Sequence, residues 1–179
     1  VHVRNALILI AVVLLFASCG YKPSSHYAKQ SVYGNVFVDI NVNIHDPKNA
    51  VLIKDAMNEI VVSRFDGRLV DNKHDANTQL LLNLNGVSMQ VLQYDNEGFE
   101  NLYRAVVSIG VNYKNDNADQ GAVSVRGTYD FAVDGQNEIS EAKRFEAIKQ
   151  ASSKALEEVV SRLAILQFKK DPLENESQQ

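Results

Sequence analysis

Alternation of apolar and polar residues over long stretches restricts this chain more than any other feature. Tyr103, Ala105, Val107, Ile109, Val111 and Tyr113 share one phase, while Arg104, Ser108, Gly110 and Asn112 hold the other. Successive side chains of a strand point to opposite faces, so this pattern specifies a strand with one buried face. The same pattern runs through Val36, Val38, Ile40, Val42 and Ile44, and again through Val123, Val125, Tyr129, Phe131 and Val133. Between them, Leu80, Leu82 and Leu84 keep one phase and Val87, Met89 and Val91 the opposite one, with Gly86 at the switch. One inserted residue flips every later side chain across a sheet, so a bulge is expected at or next to Gly86. Tyr94 to Gly98 and Asn115 to Gly121 are turn-forming segments, which makes the last three strands consecutive hairpins.

Two segments change period. After Asp46-Pro47, a capping residue followed by a proline suited to the first helical position, Ile53, Ala56, Met57, Ile60, Val61 and Phe65 recur at three and four residues. Gly67 is expected to end that helix by a left-handed exit. Arg68 to Asn77 reads as a loop. A second helix is expected from near Ser140 to about Phe168, with Phe145, Ile148, Ser152, Ala155, Leu156, Val159, Leu163 and Leu166 on its apolar stripe.

The element order β-α-β-β-β-α predicts an α+β fold, a two-layer sandwich in which two helices cover one face of a four-stranded, mostly antiparallel sheet. Nothing is left to cover the other face. The phases assign to it Asp39, Asn41, Asn43, Asn83, Gln90, Arg104, Ser108, Asn112, Arg126, Thr128 and Asp130. An antiparallel sheet tolerates one solvated face, so a solvent surface and a partner surface both remain open.

The amino-terminal residues have the parts of an export signal: Arg4, an unbroken apolar run from Ala6 to Phe16, then Ala17 and Ser18 before Cys19. The run is shorter than the ~20 apolar residues that span a bilayer. It also lacks the polar stripe of an amphipathic core helix. Small residues directly before a cysteine resemble the lipobox of bacterial lipoproteins, in which the thiol is acylated and the cysteine becomes the new amino terminus. That pattern has leucine three residues before the cysteine; here Phe16 stands there and Leu15 one step earlier. Each buried methylene contributes roughly 0.8 kcal/mol and more than one chain is needed for stable anchoring, which the several acyl chains of a lipoprotein supply. Cys19 is the only cysteine, so no disulfide is available to an exported domain. The expected organisation is a signal peptide over 1–18, a lipidated terminus and tether over 19–33, one α+β domain over 34–168 and a disordered polar tail over 169–179.

Composition and spacing argue against several functions. Without Arg4, 17 basic residues stand against 22 acidic ones, a formal charge of −5 with no basic run, which is unsuited to nucleic acid. His2, His26, His45 and His74 are the only histidines and no pair has metal-ligand spacing. Asp130 with Asp134, and Glu157 with Glu158, are acid pairs of the kind found on solvated surfaces rather than in acid-base machinery. No phosphate-binding glycine loop or nucleophile elbow occurs. The expectation is a non-enzyme without metal or cofactor.

Cys19-Gly20-Tyr21, the tether, the strand-helix-strand-strand-strand-helix order, Leu52-Ile53-Lys54-Asp55-Ala56 in the first helix and Arg162-Leu163 in the last together resemble the LptE family of lipopolysaccharide-assembly lipoproteins. The resemblance implies an outer-membrane, periplasm-facing, lipid-anchored protein that plugs the LptD β-barrel, helps it assemble and assists passage of lipopolysaccharide to the outer leaflet. Gly20 after the cysteine is compatible with outer-membrane sorting. The family is credited with direct binding of lipopolysaccharide through basic residues near its strand loops. Here those loops carry Asp95, Glu97, Glu100, Asp116 and Asp119, which repel a polyanion unless divalent cations bridge them. Arg104, Lys114 and Arg126 are the basic candidates on or beside the open face. Two rival roles stay open: an auxiliary binding lipoprotein of another envelope lipid-transport complex, and a purely structural envelope lipoprotein.

Overall fold

The computed structural model describes residues 24–41, 47–133 and 138–170. Cys19, Val42, Asn43, Ile44, Asp46, Asp134 and the segment 171–179, all named above, lie outside them. The described elements are α1 (Ser24–Ser31), β1 (Asn35–Asn41), α2 (Pro47–Ile60), β2 (Arg68–Leu69), β3 (Thr78–Tyr94), β4 (Glu100–Asn115), β5 (Gln120–Ala132) and α3 (Glu141–Lys170). The strands form one sheet in the order β2-β1-β3-β4-β5. The two contacts of β1 are parallel, and β3, β4 and β5 form an antiparallel meander.

The architecture is α+β as expected, with five strands and three helices rather than four and two, in the order α-β-α-β-β-β-β-α. Both extra elements are short. β2 lies within the expected loop and has only two residues, both exposed, too few to print a period. α1 lies within the expected tether. Its sequence Ser24-Ser25-His26-Tyr27-Ala28-Lys29-Gln30-Ser31 is polar, and it joins the core through Ala28 and the following Val32, both fully buried. The domain therefore starts before residue 34. At the other end, Lys169 and Lys170 belong to α3 and not to a tail.

Within the described residues the strand phases hold. Val36, Val38, Leu80, Leu82, Ala105, Val107, Ile109, Val111, Val123 and Val125 face the helices and are buried with Ile53, Met57, Ile148, Leu156, Val159 and Leu163. The register of β3 on β4 jumps from Leu84↔Ile109 to Gly86↔Ser108, which leaves Asn85 as the extra residue. That bulge returns Val87, Met89 and Val91 to the face of Leu80, Leu82 and Leu84.

The exit from α2 differs in detail from expectation. Val61–Phe65 forms a π-helical turn, and Asp66, not Gly67, takes the left-handed conformation with φ 59°. The missing side chain of Gly67 serves packing instead. A Cβ there would lie 2.9 Å from Cγ2 of Val36 and 3.0 Å from Cγ1 of Val61. On α3, Phe145 is exposed and Leu166 only half-buried, while Ala147, Ala151 and Ala164 complete the stripe. Small residues let this helix approach the sheet closely. No helix among the described residues is long and apolar enough to cross a membrane.

Candidate functional site

The face of the sheet away from the helices is the candidate site, since among the described α-helices none packs on it. Its residues form cross-strand rows. From the distal end these are Gln90-Arg104-Asp130, Ser88-Val106-Thr128, Gly86-Ser108-Arg126, Asn83-Gly110-Ser124, Leu81-Asn112-Ala122 and Gln79-Lys114-Gln120. β1 adds Phe37, Asp39 and Asn41 beside Gln79, Leu81 and Asn83.

Asparagines fill the middle. The Asn41 side-chain amide donates to Oδ1 of Asn83, and the bulged Asn85 lays its amide over Gly110, where a Cβ would come within 3.2 Å of Nδ2. Toward the other end the surface becomes a groove of about 650 Å³. Phe37, Leu81 and Ala122 give it an apolar floor, with Asp39, Gln79, Asn112 and Gln120 around them and Lys73 and Lys114 as its cations.

The three basic candidates do not converge. Arg104 is engaged: its Nε and Nη2 each donate to a carboxylate oxygen of Asp130 at 2.7 Å, directly across β4 and β5. Hydrogen bonding to Asp130 holds the guanidinium above its ordinary pKa, and the same bonds hold Asp130 below the usual carboxylate range. Arg126 is exposed opposite Ser108, four residues along β4 from Arg104. Lys114 lies six residues farther on from Ser108. At ~3.3 Å per residue these separations are roughly 13 and 20 Å along the strand, so the three are spread along the face rather than clustered.

Phe37, Leu81 and Lys73 escaped the sequence reading. The signal existed for two of them: Phe37 is apolar in the polar phase of β1, and Leu80-Leu81-Leu82 interrupts the alternation of β3. Lys73 sits in the 3₁₀ turn Lys73–Asp75, where no period announces it.

The base of the sheet is tied to α1. The Tyr33 hydroxyl donates to Oδ1 of Asp116, and Nδ2 of Asn77 donates to its other oxygen at 2.8 Å. Those two bonds, Tyr33 first, depress the pKa of Asp116. Gln167 of α3 donates to Oγ of Ser31 at 2.6 Å, and Asn115 donates to the Ser31 carbonyl at 3.3 Å. Lys170 reaches Asp119, the Tyr113 hydroxyl at 3.0 Å and the Gln120 carbonyl at 3.1 Å. Burial opposes its charge, yet the bonds to Asp119 and Tyr113 leave its pKa above the ordinary value. Thus α1 and the end of α3 are fixed to the β4–β5 turn.

Among the described residues no cluster of His, Cys, Asp and Glu could hold a metal ion.

The fold is similar to that of rare lipoprotein B from Shewanella oneidensis, at a TM-score of 0.51 and 11% identity over 76% of this chain and 98% of that one. It is also similar to lipoprotein B from Nitrosomonas europaea, at a TM-score of 0.50 and 11% identity over 80% and 88% of the two chains. At such identities the likeness is one of fold alone. No curated protein sequence matches the chain. The family model for LptE, lipopolysaccharide-assembly, matches residues 37–163, which is more than half the chain and runs from β1 to the last turns of α3. The chain therefore belongs to the LptE family.

Proposed function

We propose that the mature protein is anchored to the outer membrane through acylated Cys19, occupies the lumen of an LptD-like β-barrel and assists passage of lipopolysaccharide through it, without catalysis. One observation carries this reading: a family member leaves a predominantly polar sheet face free of any described α-helix, and a barrel lumen is polar. Ser24, where α1 begins, is five residues from Cys19, so the anchor reaches at most ~18 Å from the folded domain. A domain held that close to its lipid suits a barrel in the same membrane better than a distant soluble partner. Within this role Lys114 and Arg126 are the open-face cations available to the phosphates of lipopolysaccharide, while Arg104 acts through its pair with Asp130. Divalent cations would bridge the acidic hairpin turns to such a ligand.

Depletion of the protein tests the role. Loss of surface lipopolysaccharide with accumulation in the inner membrane is expected, and unchanged surface lipopolysaccharide would leave a purely structural role as the better reading. Mass measurement of the amino-terminal peptide tests the anchor. An acylated peptide starting at Cys19 is expected, and an unmodified thiol at that position would remove the basis for it.

A further inference from the structure

The long hairpin of β3 and β4 outruns the rest of the sheet. Asn41, the last residue of β1, pairs with Asn83, and from Ser88 to Tyr94 the only described neighbour of β3 is β4. An unpaired edge of this length presents backbone donors and acceptors to any extended chain. Along this stretch helix cover also stops one strand short, because α3 packs mainly on β4 and β5. In the pairs Val87↔Val107, Met89↔Ala105 and Val91↔Tyr103, the β4 residue is buried and the β3 residue only half-buried. The apolar face thus continues one strand beyond its cover. At the tip, Leu92, Tyr94 and Phe99 are 40%, 57% and 44% exposed. The turn itself is well built, with Asp95 accepting from the backbone N–H groups of Glu97 at 2.9 Å and Phe99 at 2.8 Å.

Charge distinguishes the occupants. From Ser88 to Tyr103 the chain carries Asp95, Glu97 and Glu100 and no Lys or Arg. Near the start of α3, Glu141 and Glu146 balance Lys143 and Arg144. Without bridging divalent cations an anionic lipid surface is repelled by that tip, and a second copy brings no basic residue in this stretch to meet it. We propose that the outer edge of β3 from Ser88 to Tyr94 receives an extended strand of a partner protein, with apolar side chains at alternate positions and basic residues where it passes the tip. Main-chain pairing supplies the attraction and the half-buried Val87, Met89 and Val91 supply register. The inference stands on the edge, its apolar face and its charge, and does not depend on the barrel role.

Hydrogen exchange of the full lipidated protein in neutral detergent micelles tests it with a short synthetic peptide of alternating valine and threonine ending in lysines. The peptide is expected to slow exchange of the edge-facing backbone amides, at alternate residues from Ser88 to Tyr94, by about tenfold or more. Its glutamate-ended counterpart, and a version methylated on alternate backbone nitrogens, are expected to leave exchange unchanged. Glu97→Lys, at an exposed turn position, is expected to weaken the lysine peptide by about fivefold at low salt with unaltered melting. The proposal is overturned if exchange does not slow, if the methylated peptide does as well, or if Glu97→Lys has no effect. It is also overturned if the edge is already protected in the protein alone, or is protected only by vesicles of phosphatidylethanolamine and phosphatidylglycerol.

Discussion

Gly127 of β5 lies directly beneath Ala151 of α3, so close that a Cβ on Gly127 would come within 1.9 Å of the Ala151 carbonyl oxygen and 2.5 Å of the Ala155 amide nitrogen. Backbone meets backbone there, and no rotamer change can relieve an added methyl group. Gly127→Ala is therefore expected to force helix and sheet apart and to cost about 3 kcal/mol, the upper part of the range for overpacking. For a domain of this size that corresponds to a fall in melting temperature on the order of 10 °C, measurable by circular dichroism. A variant that melts with the parent would mean that α3 does not seat on β5 at this point.

The two faces of β4 predict opposite outcomes for the same change at adjacent positions. Val107 is fully buried under α3, and Val107→Asp places an unpaired carboxylate in the core, which should unfold the domain. Ser108 is half-buried on the open face beside Arg126, and Ser108→Asp should melt within about 1 kcal/mol of the parent. Equal loss in both variants would contradict the one-sided burial of the sheet.

Acid should loosen both ends of the sheet. Asp116 is held below the usual carboxylate range by Tyr33 and Asn77, and Asp130 by Arg104. A carboxyl group with a depressed folded pKa adds stability that is fully present above its unfolded value of about 3.9 and is lost as pH falls through the folded value. Urea midpoints should thus stay level from neutral pH down to about pH 5 and then drop. Asp130→Asn should flatten part of that drop; an unchanged acid limb would show that the Arg104 pair carries no linkage.

Much of the meander was legible from spacing alone, because β3, β4 and β5 are long enough to repeat their phase many times. The bulge at Asn85 was legible for the same reason: a phase switch beside Gly86 has few other physical causes. β2 and α1 were not legible. Two exposed residues have no period, and α1 owes its place to Gln167 and Asn115, more than eighty residues away, which bond Ser31. The open face could be assigned residue by residue, yet its groove was missed, since Phe37 and Leu81 were read through the polar phase that surrounds them. Likewise, nothing local in Arg104 discloses that Asp130 will stand opposite it. That pairing depends on hairpin register, which the turn from Asn115 to Gln120 sets.

The central claim, that the open face works inside an outer-membrane barrel, is tested most directly by purifying the tagged full-length protein from detergent-solubilised membranes. A barrel whose gel mobility changes on heating should come away with the parent protein, and Leu81→Glu, which charges the groove floor without entering the core, should reduce its yield. Recovery of intact, lipidated protein with no heat-modifiable barrel would contradict the account.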